Sequence, residues 1–228
     1  MTVDVDAPAW VEAGEQILAG IDLWADVPAA TSRALQLAAV EAFAVRGYHG
    51  TSLRDIASGS GLSTAALYVH FDSKQDLLFE ISSRGHRCAL RVVEAAAALP
   101  MDTVAVTSAL IYAFTRWHAE QSTMARIVQY EGAALAPEHL PRIIELRRQA
   151  DRAVRGVLDR GVEDGSFDTP DVRGACAAVL SLGIDVARWY VPGGPYTPDA
   201  LGRLYADLGL RMLEARPVPR EPSGPSLP

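Results

Sequence analysis

Residues 51 to 74 bring together small hydroxyl side chains, a tyrosine, a histidine and a lysine at the ends of short helical segments. Ser63 is placed to cap one such helix, predicted at 63–69, while Leu67 faces the interior. This helix begins with small residues, so its N-terminal end can approach the edges of nucleic-acid bases closely. Lys74 opens the next helix, where backbone N–H groups also favour a phosphate. The outward-facing residues of the helix at 63–69 are Thr64, Ala65, Tyr68 and His70.

Two short helices joined by a glycine turn must position these side chains. The first is predicted at 52–58, with Thr51 as its cap and an apolar face made by Leu53, Ile56 and Ala57. Glycine in the connection at 59–61 allows a positive backbone angle, and Leu62 closes the apolar wedge between the helices. Two short helices with this turn and wedge form a helix-turn-helix.

Helical spacing continues along the rest of the chain, and alternating strand patterns are absent. The sequence therefore predicts an all-α protein with a three-helix domain at 31–78 and a larger helical domain at 79–216. An acidic extension with one helix at 1–30 precedes them, and a disordered tail at 217–228 follows. The predicted helices cover 9–25, 32–46, 52–58, 63–69, 74–98, 102–120, 122–135, 138–164, 171–190 and 198–215.

The net charge of -7 does not exclude a nucleic-acid partner, because residues 1–30 hold six acidic and no basic side chains. The apolar face of the helix in that extension fits packing on its own protein or dimer mate, or a partner-binding arm. No apolar run reaches the ~20 residues that a membrane span needs. The first residues also lack the positive start of a secretory signal, so we expect a cytoplasmic protein without membrane contact.

The run AFAVRGYHGTSLRDIASGSGLSTAALYVHFDSKQDLL resembles the N-terminal domain of the TetR family of bacterial regulators. The resemblance implies a homodimer that inserts the helix at 63–69 into the major groove of a double-stranded DNA operator. Many members carry a second aromatic residue where this chain has Val69, which leaves a phosphate contact at that position open. The motifs that carry the resemblance are Gly47-Tyr48, Thr51-Ser52, Ile56-Ala57, Gly61-Leu62-Ser63, Leu67-Tyr68, His70-Phe71 and Ser73-Lys74.

The family pattern and the residue types together imply particular DNA contacts. Phosphate contacts are expected from Thr51, Ser52, Tyr68 and Lys74. Thr64 and Ala65 are candidates for base edges or thymine methyl groups, and Arg54 for either kind of contact. The candidate DNA-binding residues, with the cap and the aromatic end of the motif included, are Thr51, Ser52, Arg54, Ser63, Thr64, Ala65, Tyr68, His70 and Lys74.

The segment RWYVPGGPYT at 188–197 ends one helix and starts the next, because proline and two glycines interrupt the helical pattern. Together with EDGSFDTPDV before it, it resembles the C-terminal domain of TetR members that control fatty-acid and steroid breakdown and often respond to acyl-CoA thioesters. The resemblance implies ligand binding and dimerisation in the domain at 79–216. Its last two helices would pair with those of the mate, although a helix buried in its own chain would show the same apolar face, Leu201, Leu204, Tyr205, Leu208 and Met212.

A pocket for an acyl-CoA needs an apolar channel and basic residues for its phosphates. Arg126, Arg147 and Arg148 could meet the phosphates, while Trp117 and Tyr130 fit ordinary core positions equally well. The candidate ligand-binding residues are Phe114, Trp117, His118, Ile127, Tyr130 and Glu131, with Asp185, Arg188 and Trp189 nearby in the family layout.

Other classes of protein have weaker support in the sequence. An enzyme is disfavoured because no nucleophile elbow, phosphate-binding glycine loop or metal-ligand spacing occurs, so we expect no catalytic residue, metal site or cofactor. Cys88 and Cys176 lack partners at redox or zinc spacing and are expected to be buried thiols. A protein-binding module without DNA affinity and an unrelated hydrophobic effector stay open, and repression is favoured over activation.

Overall fold

A computed structural model describes residues 7–27 and 29–216 of the 228-residue chain. Those residues contain ten α-helices and no strand, so the predicted all-α class is confirmed. The tail expected to be disordered lies outside the described residues. The helices are α1 (Ala9–Ala19), α2 (Ala30–Arg46), α3 (Leu53–Gly59), α4 (Thr64–Tyr68), α5 (Lys74–Ala97), α6 (Thr103–Glu120), α7 (Ser122–Tyr130), α8 (Leu140–Glu163), α9 (Val172–Trp189) and α10 (Pro198–Met212).

Two helices end five or more residues before the predicted position. The helix predicted at 9–25 ends at Ala19, because Gly20 takes the C-cap position. The Asp22 carboxylate then accepts a hydrogen bond of 2.7 Å from the Trp24 N–H, which stabilises a turn in place of further helix. The helix predicted at 122–135 ends at Tyr130, and a single 3-10 turn, Glu131–Ala134, follows it.

Helix α6 is the centre of the larger domain, with α1, α5, α9 and α10 packed around it. Its Tyr112 is fully buried, and small residues on two neighbouring helices make room for the ring. A Cβ atom at Gly14 would lie 2.4 Å from Tyr112, and one at Gly202 would lie 2.6 Å from it. Glycine is therefore required at both positions for α1 and α10 to approach α6 this closely.

The N-terminal extension packs on its own chain. The Trp10 ring meets Tyr112 edge-on at 5.7 Å between centroids, and Glu15 pairs with Arg116 at 3.2 Å. Further along, the Leu23 carbonyl accepts a hydrogen bond from the buried guanidinium of Arg84 on α5. The extension thus runs from the larger domain towards α2, as expected for a helix packed on its own protein.

Helices α2, α3 and α4 form the helix-turn-helix domain. Gly47 ends α2 with φ of 70°, and Gly61 turns the chain between α3 and α4 with φ of 72°. Leu67 is fully buried between these helices, as predicted. The cap of α3 is Ser52 and not Thr51, because the Ser52 hydroxyl accepts the Asp55 N–H while the Asp55 carboxylate accepts the Ser52 N–H.

Candidate DNA interface and ligand cavity

The outer face of α4 presents the predicted recognition side chains to solvent. Ser63 caps the helix by accepting the Ala66 N–H at 3.1 Å, which satisfies one of its free N-terminal N–H groups. Tyr68 is 54% exposed although its neighbour Leu67 is fully buried. Ala65 and His70 are also exposed, and Thr64 is half-buried. The structure therefore brings the predicted base-reading and phosphate-binding side chains of this helix to one surface.

Ser52 and Arg54 lie exposed at the start of α3. The Ser52 hydroxyl donates to the Asp55 carboxylate at 2.6 Å, and this hydrogen bond lowers the pKa of Asp55. The carboxylate is thereby held against its own helix start, where the helix dipole also favours negative charge. Arg54 is left as the cation of this turn that faces solvent.

Thr51 and the half-buried Lys74 bond to the backbone of the motif. Thr51 is buried, and its hydroxyl donates to the Gly47 carbonyl at 2.8 Å. The Lys74 ammonium donates to the carbonyls of Tyr48 and Thr51 at 2.8 and 2.7 Å and lies 4.3 Å from the centre of the Tyr48 ring. Both residues therefore hold the turn between α2 and α3, and one N–H of the ammonium is left for a phosphate.

A cavity of about 710 Å³ lies between α5, α6, α7, α8 and α9. Its walls are mostly aromatic and aliphatic, with a few polar side chains among them. Residues from five helices meet here, so no short stretch of sequence contains the site. The lining residues are Gly85, His86, Ala89, Phe114, Trp117, His118, Met124, Ala125, Val128, Gln129, Leu146, Arg147, Ala150, Asp151, Ala177, Leu180, Ser181, Ile184 and Asp185.

The structure brings some predicted pocket residues together and separates others. The cavity is lined by Phe114, Trp117, His118 and Asp185, and of the three predicted phosphate-binding arginines by Arg147. Ile127 is buried on α7 but does not line the cavity, and the exposed Arg126 and Arg148 do not line it either. The predicted residues that lie outside the cavity wall are Tyr130, Glu131, Arg188 and Trp189.

Arg188 and Trp189 lie outside because α9 turns their side chains towards solvent. Arg188 forms a surface ion pair with Asp185, with bonds of 2.8 and 2.9 Å. Trp189 packs edge-on against Tyr196 in the loop that follows. The predicted residues lie at the C-terminal end of a helix that does line the cavity, but of Asp185, Arg188 and Trp189 the 3.6-residue period turns only Asp185 towards it.

The sequence did not predict the contribution of α5, which includes His86, and of α8 it predicted Arg147 but not Leu146, Ala150 or Asp151. His86 lies one turn after Ser82 and about one turn before Ala89, on the inner face of α5. A histidine on an otherwise buried helical face is the signal that could have indicated His86 as a cavity residue, as His118 was predicted on α6.

The two cavity histidines are neutral. Burial lowers the pKa of His86 to about 4, and burial likewise lowers the pKa of His118 to about 4. Each ring donates from Nδ1 to a backbone carbonyl one turn earlier, Ser82 for His86 and Phe114 for His118, both at 2.8 Å. A carbonyl can only accept, so the proton of each neutral imidazole is on Nδ1 and each Nε2 is an acceptor.

The cavity wall and the helix-turn-helix meet at the end of α7. Helix α7 lines the cavity with Met124, Ala125, Val128 and Gln129. Just after its last turn, the Glu131 carboxylate accepts the Tyr48 N–H at 3.0 Å. Nearby, the Phe79 and His139 rings stack with their centroids 4.0 Å apart. One helix therefore contacts both the cavity and the turn that precedes α3.

The last two helices expose an apolar surface. Leu201 is fully buried against the core, whereas Leu204, Leu208 and Met212 on the same helix are about 40% exposed. The predicted apolar face of α10 is thus divided between the chain's own core and solvent. Leu182 of α9 and Val191 of the following loop are also exposed.

Two kinds of feature are absent from the described part of the chain. Residues 7–27 and 29–216 contain no cluster of three or more histidine, cysteine or acidic side chains that could hold a metal ion. No helix among them combines the length and the apolar character that crossing a membrane would require. Cys88 and Cys176 are buried free thiols.

Comparison with known proteins matches both parts of the chain. The family described as bacterial regulatory proteins, tetR family, matches residues 37–81, and the tetracyclin repressor-like C-terminal domain matches residues 103–213. The HTH-type transcriptional repressor KstR2 of Rhodococcus jostii (strain RHA1) is 31% identical over 172 residues, which cover 74% of this chain and 83% of the relative.

Solved structures share the fold. A bacterial regulatory protein in the tetR family from Rhodococcus RHA1 aligns with a TM-score of 0.78 and 33% identity, covering 83% of this chain and 100% of the other. AibR, solved in complex with isovaleryl coenzyme A and operator DNA, aligns with a TM-score of 0.71 over 82% of this chain and 100% of its own. At 21% identity, the second likeness concerns the fold alone.

Proposed function

The chain belongs to the TetR family of bacterial regulatory proteins, and on that premise we propose that it is a repressor released from DNA by a small-molecule effector. It is a DNA-binding transcriptional regulator with a helix-turn-helix at its N-terminal end. The operator that we propose for it is palindromic, read by a homodimer in the cytoplasm, and no catalytic activity is part of the proposal. Repression follows if a dimer that covers a promoter blocks polymerase.

The proposed reading head is α4 in the major groove. Thr64 and Ala65 face base edges, and Arg54 reaches a phosphate or a base. The exposed hydroxyls of Ser52, Ser63 and Tyr68 contact phosphates, with His70 at the end of the same surface. Lys74 offers its remaining N–H to a phosphate, while the buried Thr51 serves the interface by holding the turn.

The proposed dimer interface is the exposed apolar surface of α9 and α10. Leu204, Leu208 and Met212 would pair with the same residues of a second copy across a two-fold axis. Such a dimer matches the symmetry of a palindromic operator. A Leu208→Asp variant should therefore run as a monomer in analytical ultracentrifugation, and a stable dimer of this variant would contradict the interface.

The proposed effector is an acyl-CoA thioester. A volume of about 710 Å³ with mostly apolar walls suits an acyl chain, and such pockets usually hold a few polar groups that set orientation. Arg147 lines the cavity from α8 and is exposed to solvent, so it could meet a CoA phosphate at the entrance. AibR, which shares the fold, binds isovaleryl coenzyme A.

The contact between Glu131 and Tyr48 carries the proposal that the cavity controls DNA binding. An effector that moves the α7 wall also moves Glu131, and with it the backbone of the turn that positions α3 and α4. If the effector fits only the conformation with displaced recognition helices, it lowers DNA affinity by the reciprocal coupling factor.

The deciding experiment is fluorescence anisotropy on DNA from upstream of the protein's own gene, with a panel of acyl-CoAs and the matching free acids. We expect salt-dependent binding that a thioester releases and its free acid does not. Binding that no thioester disturbs would retain the regulator and replace the effector class with another hydrophobic molecule. Failure to bind any genomic fragment at low salt would favour a protein-binding module.

A further inference from the structure

The cavity contains a row of polar groups that runs from its interior to solvent. His118 on α6 is 5% exposed, and His86 on α5 is only partly buried. Arg147 on α8 is exposed and donates its Nε–H to Nε2 of His86 at 2.9 Å. The acceptor of His86 is therefore satisfied within the protein, at the end of the cavity that reaches solvent.

The acceptor of His118 has no such partner. Its Nδ1 proton is committed to the Phe114 carbonyl, which fixes Nε2 as a lone-pair acceptor. The ring is held between Phe114 and Trp117, with centroid distances of 4.3 and 4.9 Å. No donor among residues 7–27 and 29–216 reaches Nε2, although the side chain lines the cavity.

An unbranched alkyl chain in this part of the cavity would leave Nε2 of His118 without a hydrogen-bond donor. It would exclude water from Nε2 of His118 and supply no donor in return, and a buried acceptor without a partner is costly. A hydroxyl group restores the hydrogen bond while the rest of the chain contacts Phe114, Trp117 and Leu180. A site built around a buried polar group rejects analogues that lack its partner.

We propose that the effector's acyl group carries a hydroxyl near its inner end, which donates a hydrogen bond to Nε2 of His118. This inference rests on the proposed acyl-CoA effector and narrows it to hydroxyacyl thioesters. The phosphates of CoA lie towards the exposed Arg147, so the thioester spans the row of polar groups from solvent to His118. His118 is thus a specificity-determining residue and not simply part of the core.

Isothermal titration calorimetry on the full-length protein separates the inference from the proposed function. The probes are octanoyl-CoA and dodecanoyl-CoA, their ω-hydroxy counterparts, and the four matching free acids. Comparison of thioester with free acid tests the effector class, and comparison of hydroxylated with plain chain tests the role of His118. For one or both chain lengths, we expect the ω-hydroxyacyl-CoA to bind more tightly than the plain thioester of the same length, by about tenfold or more.

Two variants locate the preference. His118→Leu removes the acceptor at similar volume, and we expect the preference for the hydroxylated thioester to fall to about twofold or less. His118→Gln keeps an acceptor at the position of Nε2 and should retain most of the preference for the hydroxylated thioester. Thermal melting and operator binding check that each variant folds. If His118→Leu does not fold, the comparison of hydroxylated with plain thioesters on the wild type decides.

Several outcomes would overturn the inference. They are equal or tighter binding of the plain thioester at both chain lengths, an unchanged preference in His118→Leu, and binding of no probe in any form. If an ω-hydroxy free acid binds as tightly as its thioester, the acyl-CoA effector class fails while the hydroxyl preference is supported.

Discussion

Polar side chains are satisfied differently in the DNA-reading domain and in the ligand cavity. In the first, serine hydroxyls bond to backbone N–H groups three residues away, as at Ser52, Ser63 and Ser73. In the second, Arg147 reaches a histidine 61 residues away, and Nε2 of His118 bonds to no described residue. The serine caps of the reading domain are satisfied within the domain, whereas the cavity contains a polar group that a ligand can complete.

The largest expected effect comes from acid titration of the cavity. The folded protein holds His86 and His118 with pKa values of about 4, below the ordinary value of 6.5, so the unfolded chain binds more protons between these limits. Their contribution to stability is present above about pH 6.5 and is lost as the pH falls towards 4, by about 1.4 kcal/mol per unit of pKa difference.

Urea unfolding at a series of pH values measures this loss. We expect the free energy of unfolding to decrease between pH 6.5 and 5, and a His86→Gln/His118→Gln double variant to show a flatter profile there. Equal slopes in the wild type and the double variant would mean that the cavity histidines are not the cause.

Substitution of Lys74 should have the next largest effect. Unlike the serine caps, Lys74 bonds to groups that are distant in the sequence. Its ammonium joins two carbonyls more than 20 residues away, and Lys74→Met removes a donor from each, which leaves the Tyr48 carbonyl with the Thr51 N–H at 3.3 Å. Hydrogen bonds to charged groups contribute about 1.5–3 kcal/mol, so we expect a loss of roughly that size in urea unfolding and weaker operator binding. A variant with unchanged stability would contradict the assigned positioning role, and Lys74→Arg tests whether charge alone suffices.

The serine caps of α3 and α4 test whether polar groups in the reading domain are satisfied locally. Ser52→Ala and Ser63→Ala should each cost about 1 kcal/mol in the free energy of unfolding, because each removes one local acceptor. If capping is local, the two losses should add in the double variant within about 0.5 kcal/mol. Strong non-additivity would indicate that the caps belong to one extended network.

The local origin of the reading domain explains why the sequence predicted it so fully. Gly47, Gly61 and the Ser63 cap act within a few residues of their position, so pattern alone predicted the helices and the outward face of α4, although the cap of α3 is Ser52 and not the predicted Thr51. The cavity could be predicted only in part. Phe114, Trp117 and His118 were found on one helix, but His86 and Leu146 join them through packing between distant segments.

The residues whose positions were predicted wrongly also depend on packing between distant segments. Glu131 was predicted to face a ligand, yet α7 ends one residue earlier and the carboxylate bonds to the backbone of the reading domain. The exposed half of α10 could not be separated from its buried half by periodicity, because both halves are apolar.

The smallest expected effect concerns the junction between the two regions. Glu131→Gln keeps an acceptor for the Tyr48 N–H but removes the charge, and we expect operator affinity close to wild type. The effector concentration needed for release should change several-fold, corresponding to a coupling change of about 1 kcal/mol. The exposed Glu138→Gln is the matched control, and an equal change in that variant would remove the special role of Glu131.

The buried guanidinium of Arg84 limits how this regulator can be recombined with others. Arg84 lies on α5, and its donors reach Gln36 of α2 and the Leu23 carbonyl of the extension, each at 3.2 Å. In a chimera that places only residues 30–78 of this chain in another regulator, Gln36 would meet whatever residue that regulator carries at the position of Arg84. The hydrogen bonds of Arg84 to Gln36 and to the Leu23 carbonyl would then be lost. A DNA-reading domain moved from this chain to another regulator must therefore carry its N-terminal extension and α5 as far as Arg84 with it.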